Sequence, residues 1–173
     1  MISEPVKRSI EMMNLYGVKN ILEIGCGKGG ILAQFHAPVR IGVDHFEPFI
    51  VEGKKNYRDI VFIKHDVYNL REIFQPQTFD AVIGFDILEH LEESRMINLI
   101  QLAEYLSRTL IIFFSPLDEA GFQKWQEPIE GNDSMIHKTI IRESYLKDSG
   151  YMTTVYQNYH GAGVHAMLAI KEL

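Results

Sequence analysis

Near the start of the chain, Ile21-Leu22-Glu23-Ile24-Gly25-Cys26-Gly27-Lys28-Gly29-Gly30 joins an apolar run, a carboxylate and a glycine loop. Glycine lets the backbone turn sharply and lets a ligand touch the main chain, and the first amides of a following helix attract a carboxylate or phosphate. Such a loop suits a nucleotide-like ligand. Counted from Gly25, it satisfies G-x-G-x-G and, through Gly30, also the dinucleotide pattern G-x-G-x-x-G, so glycine spacing leaves both open. Three acids narrow the choice. Glu23 would repel a pyrophosphate at close range but suits a ligand carrying an ammonium and a sulfonium. Asp44, ending the next apolar run, can accept both hydroxyls of a ribose, which fits either kind of nucleoside. Asp66, in Ile63-Lys64-His65-Asp66-Val67, is placed to accept from the exocyclic amine of adenine while Val67 covers the base, a position less expected of a dehydrogenase.

A second group follows the fourth apolar run. Asp86, Glu89 and His90 fall on neighbouring positions of one helical turn and could form a base or a metal cluster; equally, Asp86 caps a helix, Glu89 is solvated and His90 closes a pocket. No second carboxylate cluster accompanies them, and His160 and His165 supply no two-histidine metal spacing, so no metal is expected. Cys26 could be acidified at a helix N-terminus, but no histidine is paired with it by any pattern, and a small side chain simply fits a glycine loop. Lys28 reads as a loop lysine as readily as a carboxylate contact.

The elements that must position these groups alternate along the chain. Ser3, Pro5 and Gly17 bracket an amphipathic N-terminal helix. Strands are expected at Lys19–Ile24, Val39–Asp44, Ile60–His65, Phe79–Phe85 and Thr109–Phe114, with helices at Gly29–His36, Phe46–Tyr57, around Tyr68–Phe74 and through Met96–Leu106. Strands that are apolar almost throughout belong to a parallel sheet covered on both faces, hence a doubly wound α/β fold. Ser115–Ser134 is polar and turn-rich, long enough for a lid or pocket wall. A helix over His137–Ser149 and strands at Tyr151–Tyr159 and Val164–Lys171, joined by His160-Gly161-Ala162-Gly163, complete the pattern.

Composition bounds the rest. At 173 residues, 46% hydrophobic and 23% charged, the chain has room for one domain spanning 1–173 with a full core. Seventeen basic against 23 acidic residues leave a net charge of −6, which gives no reason to expect a nucleic-acid partner. One cysteine indicates a reducing compartment, the cytoplasm by default. Charges at Glu4, Lys7, Arg8 and Glu11 interrupt any signal-peptide core, and no apolar run approaches the roughly 20 residues of a membrane span.

Taken together, these motifs resemble those of the class I S-adenosylmethionine-dependent methyltransferases over nearly the whole chain. Glu23, Gly25, Gly27 and Gly29 match the family's first motif, Asp44 its ribose acid and Asp66-Val67 its adenine contact. Phe79-Asp80-Ala81-Val82-Ile83-Gly84-Phe85-Asp86-Ile87-Leu88-Glu89-His90-Leu91 is similar to its fourth-strand segment, whose main chain near Phe85 faces the methionine moiety. The resemblance implies a Rossmann-like sheet of seven mostly parallel strands with an antiparallel C-terminal strand. It also implies S-adenosylmethionine as cofactor, held by Glu23, Gly25, Cys26, Gly27, Gly29, Asp44, His45, Asp66, Val67 and Phe85, and a small-molecule methyl acceptor. Tyr16, Trp125 and His137 become candidates for acceptor contact. Methyl transfer from a sulfonium needs alignment and exclusion of water more than a base, and no catalytic residue is singled out. Two rivals stay open: an NAD(P)-dependent oxidoreductase using Gly25, Gly27 and Gly30, and a non-catalytic module that keeps the cofactor fold.

Overall fold

The computed structural model describes residues 2–128 and 130–173. Seven strands form one sheet: β1 (Asn20–Ile24), β2 (Val39–Asp44), β3 (Val61–Lys64), β4 (Phe79–Phe85), β5 (Ser107–Pro116), β6 (Met152–Tyr156) and β7 (Ala166–Glu172), in the order β3-β2-β1-β4-β5-β7-β6. The first five are parallel, and β7 runs antiparallel to both its neighbours, β5 and β6. The expected fold class is therefore the observed one.

Strand period sets the two cores. Leu22, Ile24, Val82, Ile111 and Phe113 point to one face, where α3 (Glu93–Leu106) and α5 (Glu143–Lys147) cover them with Met96, Leu99, Ala103 and Leu146. Ile21, Ala81, Ile83, Ile112 and Phe114 point to the other, under Val6, Met12 and Met13 of α1 (Glu4–Leu15) and Ile50 of α2 (Glu47–Asn56). Because β4, β5 and β1 are buried on both faces through their centres, apolar residues there run consecutively, as in 110–114, rather than alternating.

Two expected helices are largely absent. The segment after the glycine loop holds only a 3-10 turn, Leu32–Gln34. Gly29 has φ +82°, outside the helical region, and Ala37 precedes Pro38, which disfavours helical backbone, so only 31–36 is left, too short to repay nucleation. Over 137–149 only α5 is helical, because the Lys138 and Thr139 amides donate to the Glu89 carbonyl (2.7 and 3.1 Å) instead of to a helix ladder. The polar stretch expected as a lid contains α4 (Asp118–Lys124) and a 3-10 turn at Asp133–Met135; Ile129 lies outside the described residues, as does Met1 of the expected charged start. Among the described residues no helix is long and apolar enough to cross a membrane.

Candidate active site

All five parallel strands end at the same sheet edge, and the order reverses between β1 and β4, which leaves a crevice over their carboxyl ends. A cavity of about 260 Å³ occupies it, lined by Gly25 and Gly27 after β1, Asp44 and His45 at the end of β2, and Asp66 and Val67 after β3. Asp86 and Ile87 after β4 form its floor, and Asn132, Ser134, Met135 and Lys138 close it from the segment after β5. Asn132 and Ser134 belong to the 115–134 stretch expected as a pocket wall; Met135 and Lys138 lie just beyond it.

Asp44 is the organising side chain. One carboxylate oxygen accepts from the Gly27 amide at 2.9 Å and the other from the Phe46 amide at 2.8 Å, so the glycine loop is tied to the end of β2. Each oxygen retains a lone pair, and the residue, 8% exposed, still faces the cavity. Asp66 accepts from the Tyr68 amide at 3.0 Å through Oδ1 alone, which leaves Oδ2 free beside buried Val67. His45 lies against Asp44, its Nδ1 3.6 Å from the carboxylate.

Four expected cofactor residues do not line the cavity. Cys26 is buried with its sulfur against Gly42, and burial pushes its thiol pKa up, the opposite of an activated nucleophile. A Cβ on Gly29 would sit 2.4 Å from the Phe62 ring, so this glycine serves the packing of the loop on β3 and not the ligand. Phe85 turns into the opposite core against Phe35 and Phe114. Its neighbour Asp86, at φ +50°, carries the chain back to the cleft. Glu23 is buried in β1 beneath the loop, with Oε2 lacking a hydrogen-bond partner; burial, then the nearby Asp44 and Asp86 charges, raises its carboxyl pKa well above the usual range.

Tyr16 is not near the cleft. It sits beside Glu172 at the far end of β7, level with the start of β5, so the N-terminal helix offers no acceptor contact there. Trp125 and His137 do reach the site, in a smaller adjoining cavity of about 100 Å³ that also includes Asp86, Glu89, His90 and His160. Burial raises the Asp86 carboxyl to about 7. Glu89 is not solvated: it is 1% exposed, and burial followed by the Asp86 charge raises its pKa well above normal. Sequence reasoning did not find Tyr68, Arg95, Asn132 or Lys138 as cavity residues; none stands in a recognisable motif, and only the folded chain brings them together.

The donor set fits an adenosyl sulfonium better than a dinucleotide. Asp44 and Asp66 offer acceptor oxygens for hydroxyl and amine groups, and the missing helix after Gly29 removes the amides a pyrophosphate would use. The chain has the fold of S-adenosylmethionine-dependent methyltransferases. It superposes on magnesium protoporphyrin IX methyltransferase (ChlM) from Synechocystis PCC 6803 with bound S-adenosylhomocysteine at TM-score 0.70 and 18% identity, covering 96% of this chain and 80% of that one. A SAM-dependent methyltransferase from Archaeoglobus fulgidus gives 0.65 and 17%, over 96% and 94%. The N-methyltransferase NodS from Bradyrhizobium japonicum WM9 with S-adenosylhomocysteine gives 0.67 and 15%, over 98% and 88%. No curated protein matches the sequence. The methyltransferase domain family matches residues 21–108, just over half of the chain, and the chain belongs to that family.

Proposed function

We propose that the cleft binds S-adenosylmethionine and that residues 1–173 act as one methyltransferase domain on a small-molecule acceptor. The observation that carries this reading is the convergence of Gly25 and Gly27, Asp44, and Asp66 with Val67 on one cavity at the carboxyl edge of the sheet. Asp44 accepts the ribose hydroxyls while anchoring the loop, the free Asp66 oxygen accepts the adenine amine, and Val67 covers the base. The backbone of the loop at Gly25 and Gly27 faces the amino-acid end. S-adenosylmethionine supplies a methyl group already activated on a sulfonium. What this chain adds is alignment and dryness: Ile87 and Leu91 wall the cleft, and the 132–138 segment keeps water from the reacting centre.

At about 260 Å³ the cavity is near the lower limit of ligand sites, roughly 300 Å³. The cofactor fills it, and the acceptor meets it where Asp86 and His90 are shared with the adjoining cavity. That junction suits a compact acceptor.

Calorimetric titration with S-adenosylhomocysteine tests the cofactor, and a panel of small acceptors assayed for S-adenosylhomocysteine release tests transfer. Saturable binding and turnover are expected. Binding of NADH in place of S-adenosylhomocysteine refutes the reading, and tight binding without turnover across the panel favours the non-catalytic module.

A further inference from the structure

Beside the cleft, one carboxylate and two imidazoles bring three potential metal-ligand atoms together. Glu89 accepts from the Ser115 hydroxyl at 2.8 Å through Oε2, while its buried Oε1 has no hydrogen-bond partner. His90 Nε2 lies 3.9 Å and His137 Nε2 4.0 Å from that same oxygen. In both rings the other nitrogen faces a backbone carbonyl: His90 Nδ1 is 3.3 Å from Ile136 O and His137 Nδ1 is 3.0 Å from Gly121 O. A carbonyl only accepts, so Nδ1 carries the proton in each ring and each Nε2 presents a lone pair toward Glu89. An imidazole backed by a carbonyl at its far nitrogen is how proteins orient histidines that ligate metals.

The three side chains are buried and their donor atoms lie within 4.8 Å of one another. Ligands around a tetrahedral zinc ion are about 3.3 Å apart, so contraction by roughly an ångström completes the site. The backbone ties the three ligands together. Glu89 and His90 sit on the 3-10 turn after β4, and His137 arrives on a strap whose amides at 138 and 139 bond to the Glu89 carbonyl. The adjoining cavity, about 100 Å³, leaves room for an ion and a water, with Asp86 between it and the cofactor cleft.

We propose that Glu89, His90 and His137 bind a divalent first-row transition cation. Two imidazole nitrogens and one carboxylate oxygen suit zinc, cobalt or iron better than magnesium or calcium, which prefer oxygen ligands. Asp86 lines the same cavity, which also adjoins the cofactor cleft, and a cation there would hold an acceptor oxygen or nitrogen. That last role rests on the methyl-transfer reading; cation binding does not.

The test uses the full chain, stripped with chelator and titrated with zinc or cobalt without S-adenosylmethionine. One equivalent of zinc is expected to bind and, at a hundredfold excess over Kd, to raise Tm by roughly 5 °C or more. Cobalt should give visible absorption with the same stoichiometry. His137→Gln and Glu89→Gln should each abolish the cobalt spectrum and the thermal shift, with far-ultraviolet circular dichroism reporting the fold. The proposal is overturned if stripped, natively folded protein takes up neither metal, or if both folded variants bind as the parent does. Zinc binding alongside failure to bind S-adenosylhomocysteine keeps this site and removes the transferase reading.

Discussion

Asp44 anchors the glycine loop through the Gly27 amide, and on the proposed reading the same carboxylate also accepts the ribose hydroxyls. Asp44→Ala should lower affinity for S-adenosylhomocysteine by one to two orders of magnitude, about 1–3 kcal/mol, because buried ribose hydroxyls lose their acceptor and the Gly27 amide loses its anchor. Asp44→Asn keeps one acceptor oxygen and should lose less; calorimetry measures both. Glu23 is a different case. Its folded pKa is raised, so between the ordinary carboxyl range and that higher value the native state holds a proton the unfolded chain has released. The stability Glu23 contributes is therefore complete at low pH and declines as pH rises through the folded value. Glu23→Gln should gain stability relative to the parent between pH 4.5 and 7.5, measured by denaturant unfolding at the two pH values; a constant difference would contradict the buried acid. Glu23, Asp44 and Asp66-Val67 were visible in the sequence because each follows an apolar run at a fixed offset. That Glu23 lies under the loop and not on the cavity wall was not visible, since side-chain direction depends on the packed sheet.

At the level of the elements, the glycine loop divides into residues that face ligand and residues that face protein. Gly27 has φ +51° and an added Cβ would meet only Phe49, at 3.9 Å. Gly29 has φ +82° and an added Cβ would collide with the Phe62 ring. Both alanine substitutions carry a backbone cost of about 1 kcal/mol, and Gly29→Ala adds overpacking of about 1–3 kcal/mol. Denaturant unfolding should thus rank Gly29→Ala below Gly27→Ala in stability. The bulkier Gly27→Val should weaken S-adenosylhomocysteine binding most, since Gly27 lines the cavity and a branched side chain is strained at its φ of +51°. A helix expected after this loop failed for local reasons, the Gly29 dihedral and Pro38, that an apolar-period count does not weigh. The strap bearing His137 failed as a helix for a non-local one, its bonds to the Glu89 carbonyl.

The described residues form one seven-stranded sheet whose parallel strands bring Asp44, Asp66 and Asp86 to one cleft, and on the proposed reading that cleft selects an adenosyl sulfonium. Binding of S-adenosylhomocysteine at a hundredfold excess over Kd should raise Tm by several degrees, whereas NADH should leave it unchanged; a thermal-shift titration of both compares them directly. The alternation of strands and helices, the two apolar faces and the reversed last strand were legible because strands buried on both faces are apolar through their centres, and the glycine hairpin announced the turn back; the strand order came from the structure. The candidate cofactor motifs that line the cavity were legible because they sit at strand ends, where sequence position fixes spatial position. Assembly of Glu89, His90 and His137, closure of the cleft by Asn132 and Lys138, and removal of Tyr16 from the site were decided only by the tertiary structure. Residues far apart in the chain meet through loop paths and backbone hydrogen bonds that no local periodicity encodes.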